Sequence, residues 1–403
     1  MKKAVSNIIL LFTNYLMLIS VIISIPFLLL LKLIVRKSGF LYLENFPEEN
    51  AGYQYRAAKW AQVLCQNSFK VKIKTVISEK KRFDNTGHFY YLWISYFKKF
   101  WHIASSVRYK RVIVRREIMA ANDYGYLFME RFLLVLHPNA ILDFDDDLAY
   151  AKNQPKNNLS FFGKIMLEHR DKFNASLRLY RYFIVGSPFL ADLITSANPQ
   201  LKRNAICYIP TCVDYDSIEA KTYIAENDTI VLGWIGGIYN LYLLESLIPS
   251  LNRIAEKHKI KLVVIAGKQP EWEASFEIQF LQWSLKNETD FLKSIDIGLM
   301  PLQNNIESIG KCGFKLIQYM GLGIPAIATN IGINTLIVED GVNGFLVQPD
   351  ADWYPVLDKA IKEKTRLSGM GRQARNTIEK EYSFKANAGK YMEFVVPDYN
   401  SKE

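Results

Sequence analysis

Histidines at metal-binding spacing are missing from this chain. His88, His102, His137, His169 and His258 are scattered with no H-x-x-x-H interval, which argues against a histidine-built metal site. Cysteine is scarce as well. Cys65, Cys207, Cys212 and Cys312 show no CxxC spacing and no disulfide framework for a chain of 403 residues, so a reducing compartment is the simplest setting. There is no internal repeat and no low-complexity tract. The net charge of +10 comes with 40 acidic residues interspersed among the basic ones and with no RNA- or DNA-binding signature. A nucleic-acid partner is therefore set aside in favour of an anionic membrane surface. The sequons at Asn158, Asn174, Asn227 and Asn287 would matter only in a lumenal protein.

One absence is itself a signal. From Ile8 to Leu31 no residue is charged, a run of roughly 36 Å as a helix, enough to cross a hydrocarbon core of about 30 Å. Lys2 and Lys3 precede it, Lys32, Arg36 and Lys37 follow it, and no small-residue cleavage site appears, so residues 1–37 read as a retained membrane anchor. Pro26 leaves two topologies open, a single span or a hairpin bent near Pro26. The basic flanks put the rest of the chain on the cytoplasmic side.

The remaining length suits two α/β domains, and an apolar fraction of 50% suffices for two cores. The densest signal is Gly310 to Val347, where a charged turn, a helix, a Gly-Pro turn, a strand and a second glycine loop follow one another. That is how an open α/β sheet builds a ligand site at its carboxyl edge. Lys311 and Lys315 lie four apart near a helix start, where free N–H groups already favour an anion, so both are expected to face a diphosphate. Gly236 and Gly237 end the strand IVLGWIG and permit close backbone approach of a phosphate or sugar, or simply make a tight turn. Lys268 follows the buried strand KLVVIAGK, within reach of a phosphate or merely exposed. Gly332 and Asn334 follow the strand AIAT, where backbone N–H groups can complete an anion nest. Leu244, Leu247, Ile248, Leu251 and Ile254 recur at helical spacing and read as core.

The segment FKLIQYMGLGIP, with Lys315 and Gln318 just before Tyr-Met-x-x-Gly-x-Pro, resembles the donor-binding half of the GT-B glycosyltransferases of family 4. Further segments agree in order: VIVRRE, AILDFDDDLAY, IVGSPFLA, YIPTCVD, VLGWIGGIYNLYLL and SIDIGLMPL. The match covers roughly residues 39 to 385. It implies two Rossmann-like, doubly wound domains facing a cleft, with an acceptor-side domain at residues 38–214, a nucleotide-sugar domain at 215–380 and a last helix, 381–403, crossing back. The family's paired glutamates eight residues apart are replaced here by Gly310 and Gln318. Gln318 can bond a ribose hydroxyl but cannot act as a base.

On the acceptor side, GFLYLENFPEENAGYQYRAAKWAQVL reads as a strand, a loop and an amphipathic helix. The resemblance points to Arg56 as a cleft residue; a solvated arginine in a helix's first turn is the competing reading. FYYLWISYFKKFWHI is either a core helix or a headgroup-level patch in which Lys98 and Lys99 snorkel. The cluster Asp143, Asp145, Asp146 and Asp147 follows a strand. Mutual repulsion there is expected to raise one pKa, as suits a base. Metal binding by D-F-D and a helix cap are the alternatives. Asp145 and Asp146 are the candidates for base or acceptor binding, with Glu117, beside Arg115 and Arg116, facing the cleft or lying in a surface ion pair.

The sequence thus implies a membrane-anchored GT-B glycosyltransferase that moves a sugar from a nucleotide-diphosphate sugar to a glycan or lipid-linked acceptor in surface polysaccharide or glycolipid synthesis. The resemblance implies retention of configuration, and no metal or other cofactor is expected. A GT-B epimerase and a catalytically inactive scaffold are the alternatives.

Overall fold

The computed structural model describes residues 2–76, 89–119, 123, 125–146, 172–223, 228–397 and 399. The chain divides into two compact units, the first made of Met1–Pro210 and Ala388–Glu403 and the second of Thr211–Asn387.

The first unit is built on a six-stranded parallel sheet ordered β2-β1-β3-β4-β5-β6. Its strands are β1 (Phe40–Leu43), β2 (Val71–Lys74), β3 (Arg111–Arg115), β4 (Ile141–Phe144), β5 (Tyr182–Val185) and β6 (Ile206–Tyr208). The interior strands are continuous apolar runs because both faces are covered. β2, with Lys72 and Lys74 in VKIK, takes the edge, where charge discourages further pairing. Chain order reverses between β1 and β3, so the crevice beyond their carboxyl ends is where such a sheet binds ligands.

The helices of this unit include α1 (Lys2–Ile34), α2 (Lys59–Gln66), α3 (Phe89–Ala104) and α4 (Phe128–Leu136). α1 is a single helix that runs through Pro26, so the bend considered from the sequence is not there. Nor does α1 stand outside the core. Leu10, Met17, Val21 and Leu28 belong to the same buried cluster as Leu41, Val112 and Leu142 of the sheet. α2 is entered through a π-helical turn, Gln54–Ala58, after Asn50 caps the first turn by accepting from Gly52 N at 2.8 Å. The closing helix α5 (Phe384–Val395) brings Tyr391 onto Trp60, stacked at 4.1 Å, with its hydroxyl bonded to that of Tyr42 in β1.

The second unit repeats the plan. Its parallel sheet is ordered β12-β11-β10-β7-β8-β9, with β7 (Ile230–Gly236), β8 (Ile260–Ala266), β9 (Glu277–Gln282), β10 (Ile297–Met300), β11 (Ala326–Thr329) and β12 (Gly344–Val347). The reversal falls between β7 and β10. β9 is an edge strand whose Glu277, Gln279 and Gln282 face out while Ile278 and Phe280 alternate inward. The helix Ile248–Ala255 buries Ile248, Leu251 and Ile254 on this sheet, as its spacing predicts.

Candidate functional site

In the second unit, the residues after β7 and the helix Phe314–Gly321 converge on one turn. Gly236 closes β7. A Cβ there would lie 2.4 Å from the Trp234 ring and 2.9 Å from Lys315 Cε, so only glycine lets the lysine lie across the strand end. Lys315 Nζ sits 5.3 Å from the centre of the Trp234 ring, a cation–π geometry. Tyr319, one helical turn on, accepts from Ile235 N at 3.0 Å and fixes the helix to the strand. A Cβ at Gly237 would have open space around it, with Asn240 Nδ2 the nearest atom at 4.0 Å.

Lys311 differs from expectation. It precedes the helix, which starts at Phe314, so the two lysines do not share a helical face. Lys311 reaches the same turn from the loop, with Nζ 3.4 Å from Asn240 Oδ1 and 3.4 Å from Glu307 Oε1. Gly332 has φ +55°, and a Cβ would meet Ile309 O at 2.8 Å, so this loop packs directly on the turn before Gly310. Asn334 is fully buried; its Nδ2 donates to Thr329 O at 3.0 Å, while Oδ1 has no hydrogen-bond partner among the described residues. Lys268 is exposed two residues beyond β8.

Gln318 faces a carboxylate that the helix sequence does not contain. Its Nε2 donates to Glu288 Oε1 at 2.7 Å, and Trp283 Nε1 donates to Glu288 Oε2 at 2.7 Å. Glu288, from the short helix Glu288–Lys293, is buried. Thirty residues separate it from Gln318, so no local motif announces the pair.

In the first unit, charged side chains crowd the carboxyl edge of the sheet and most are buried. Arg56 is not a solvated helix residue. It is fully buried in the π-helical turn, ion-paired to Asp143, with Nη1 donating to Ile209 O at 2.7 Å and Pro210 O at 3.0 Å. Arg115 Nη2 meets Asp145 Oδ1 at 2.9 Å. Arg116 Nη2 meets the same oxygen at 3.2 Å and Asp146 Oδ2 at 2.9 Å. Arg116 adopts φ +64°, a costly conformation for a non-glycine residue, and its guanidinium lies 5.4 Å from the centre of the Phe46 ring. The arginines beside Glu117 therefore pair with Asp145 and Asp146, while the Glu117 carbonyl accepts from Asn45 Nδ2 at 2.5 Å.

These pairs reverse one expectation. Burial alone would raise the Asp145 pKa, but the Arg115 and Arg116 guanidiniums outweigh it and hold the carboxyl below the usual carboxylate range. Mutual repulsion among the aspartates is thus not what sets it. Asp147 lies outside the described residues.

Two further groups at this edge were not singled out from sequence. Glu44, the residue after β1, is buried; Oε1 accepts from Asn45 N at 2.7 Å and Phe46 N at 2.9 Å, and burial raises its pKa against the pull of Arg115. Lys99 of α3 is buried too, donates to Glu44 O at 3.3 Å and is lowered to about 8 by burial, which corrects the snorkelling expectation. Arg115 Nη1 and Glu44 Oε2 are buried without hydrogen-bond partners among the described residues. A charged residue just past a strand, as in FLYLEN, was the available signal for Glu44.

Among the described residues no cluster of histidine, cysteine, aspartate or glutamate could hold a metal ion. Within D-F-D, Asp143 and Asp145 are both taken up by arginines. The residues at this edge therefore suit hydrogen bonding better than cation binding.

Residues 229–362 match the family model described as Glycosyl transferases group 1. A capsular polysaccharide biosynthesis glycosyltransferase, CapM, of Staphylococcus aureus is 25% identical over 193 residues, 45% of this chain and 49% of CapM. The match thus spans about half the length of that relative. Among solved structures, a sucrose-phosphate synthase from Thermosynechococcus elongatus matches with TM-score 0.63 at 13% identity, covering 88% of this chain and 97% of that one. A glycosyltransferase from Rickettsia africae gives TM-score 0.61 at 13% identity, covering 90% and 100%. HepE of Anabaena, in complex with UDP and glucose, gives 0.59 at 13% identity, covering 88% and 98%. The fold these likenesses share with the chain is GT-B.

Proposed function

With residues 229–362 matching the group 1 glycosyltransferases on a GT-B frame, we propose that this chain transfers a sugar from a nucleotide-diphosphate sugar to a glycan or lipid-linked acceptor in surface polysaccharide or glycolipid synthesis. The observation that carries the reading is the Gly236, Trp234 and Lys315 arrangement at the β7 strand end, beside the sheet's reversal point. Lys315, Lys311 and the backbone N–H groups at the start of Phe314–Gly321 face a position suited to a diphosphate. As the bond to the sugar breaks, negative charge grows on that diphosphate, and fixed positive groups stabilise it there. Gln318, steadied by Glu288, offers its amide oxygen to a ribose hydroxyl. Gly237, Lys268, Gly332 and Asn334 are the remaining donor-side candidates.

Arg115, Asp145, Asp146, Glu117 and Glu44 form the acceptor-side candidates of the first unit, with Arg56 as a positioning residue that holds Asp143 and the 209–210 segment. An aspartate kept ionised by two arginines is a poor proton acceptor. It suits binding of an acceptor hydroxyl and fits the retaining transfer that the resemblance implies, while Lys311, Lys315 and backbone N–H groups in place of a cation make the transfer metal-independent in this reading. The helix Asn7–Ile34, long and apolar enough by composition to enter a bilayer, supports membrane association; the cytoplasmic side, where nucleotide sugars are made, is proposed from the basic residues Lys2, Lys3, Lys32, Arg36 and Lys37 that flank it.

Thermal shift with nucleoside diphosphates tests this reading. The wild-type protein should be stabilised by one of them, and Lys315→Ala should keep its melting temperature without ligand but lose that stabilisation. Equal stabilisation of both proteins would remove the donor-site assignment.

A further inference from the structure

The apolar helix α1 is held along most of its length by the body of its own unit. Leu10, Thr13, Asn14, Met17, Val21 and Leu28 form one buried stripe. Asn14 Oδ1 accepts a hydrogen bond from Tyr96 on α3, and α1 also packs on α4 and on the 3-10 turn Ser105–Arg108. From Leu10 to Leu28 the stripe covers about 27 Å of helix, close to the roughly 30 Å of a hydrocarbon core. The outward side is uncharged from Ile8 to Leu31 and mostly apolar, with Tyr15 and Ser20 also exposed. Ile8, Phe12, Ile23, Phe27, Leu30 and Leu33 are each more than half exposed. A helix resting on a water-soluble domain turns charged residues outward; this one has none from Ile8 to Leu31.

We propose that α1 lies flat in the surface of an anionic bilayer, its outward face in the acyl region and its inner stripe on the protein body, and does not cross the membrane. The inference rests on the membrane reading above and narrows it. The helices that grip α1 carry Lys98 and Lys99 on α3 and Glu130 and Arg131 on α4. A crossing α1 would carry those ionisable groups to bilayer depth, where they are costly. An in-plane helix immersed by about 5 to 10 Å leaves them on the aqueous side. Lys32, Arg36 and Lys37 at its end then meet lipid phosphates, and Trp101 and Phe97, exposed on α3, add interfacial anchors.

The full-length protein floated with vesicles of phosphatidylcholine alone and of phosphatidylcholine with phosphatidylglycerol tests this. Binding should be severalfold stronger to the anionic vesicles and should fall severalfold in Phe12→Lys and Phe27→Lys, which leave the buried stripe intact. Absence of binding to either vesicle would overturn the membrane reading and the inference together. Dimers seen by light scattering would then identify a second copy as the cover. If binding holds, Val5→Cys and Lys37→Cys, in a background with Cys65 and Cys312 replaced by serine, should both react with an impermeant maleimide in inverted vesicles and neither in spheroplasts. Reaction from opposite sides would overturn the flat placement alone. Spin labels at Phe12→Cys and Phe27→Cys should report equal depth; unequal depths, as in a bent hairpin, would also overturn it.

Discussion

The two units share one plan, a six-stranded parallel sheet with a reversal in strand order, and treat the carboxyl edge in opposite ways. The first buries Glu44, Arg56, Lys99, Arg115, Asp123, Glu130, Asp143, Asp145 and Lys172; the second buries one charged side chain among the described residues, Glu288. One edge is a network neutralised in advance by its own counter-charges. The other is glycine, amide and two half-buried lysines, of which Lys311 has Glu307 beside it at 3.4 Å while Lys315 lies on the Trp234 ring. A ligand that brings its own negative charge suits the second edge, and one that brings hydroxyls suits the first. The difference therefore lies in what each edge still needs, not in the frame.

The sharpest way to break the comparison is to remove a charge from the neutralised edge. Arg56→Ala would leave Asp143 buried without its guanidinium and would free the Ile209 and Pro210 carbonyls. Stability should drop by about 3 to 5 kcal/mol, read from denaturant unfolding. A loss no larger than that of a surface substitution would mean the network is not what holds this edge.

The same operation on the other edge should spare the fold. Lys315→Ala removes a charge-assisted contact to the donor worth about 1.5 to 3 kcal/mol, so turnover should fall roughly 10- to 100-fold with the unfolding midpoint little changed. Gly236→Ala should act on the same step, since its Cβ would push on Trp234 and Lys315. If Lys315→Ala instead lowered the unfolding midpoint by several degrees and left the turnover of the folded protein unchanged, the lysine would be structural and the contrast between the edges would vanish.

The same contrast governs how legible each edge is in the sequence. On the donor side, Lys311, Lys315 and Gly332 fall within one short module and Gly236 ends a strand-like run, so each carries its own local signal, although the helix starts at Phe314 and not at Lys311. The ionic edge is joined by long-range pairs: Arg56 with Asp143, Arg115 with Asp145, Lys99 with the Glu44 carbonyl. No local period encodes such pairs. The aspartates and Arg56, Arg115 and Arg116 stand out singly, but which pairs with which does not, and a pKa expected to rise is lowered by arginines at a neighbouring strand. The burial of α1 was hidden for a related reason: apolar residues all round a helix do not say which stripe meets protein.

Acid should expose the difference between the units more gently. His137, buried near the end of α4 with its Nε2 2.9 Å from Ser106 O, is lowered to about 4 by burial. Its folded-state pKa lies below the unfolded value of about 6.5, so the unfolded chain binds the extra proton. Its contribution is intact above about pH 6.5 and is lost as pH falls towards 4. At pH 5 the loss is about 2 kcal/mol, and His137→Gln should flatten the stability profile between pH 7.5 and 5 by that amount. An unchanged slope would show that His137 titrates normally in the folded unit.

The smallest expected effect concerns metal. If the donor-side edge supplies its positive charge from Lys311, Lys315 and backbone N–H groups, EDTA should leave turnover unchanged. The aspartates that could compete for a cation reinforce this: Asp143 is bound to Arg56, and Asp145 to Arg115 and Arg116. To ligate a divalent ion they would have to release guanidiniums that are buried or nearly so, leaving Arg56 and Arg115 as uncompensated buried charges. Loss of turnover in EDTA, restored by Mn²⁺ or Mg²⁺, would show that the first unit's carboxylates open to a cation during the reaction. Asp145→Asn then separates the cases. With no metal it should lower turnover through weaker acceptor binding and leave the response to EDTA flat, whereas a metal ligand would lose both turnover and its rescue by Mn²⁺.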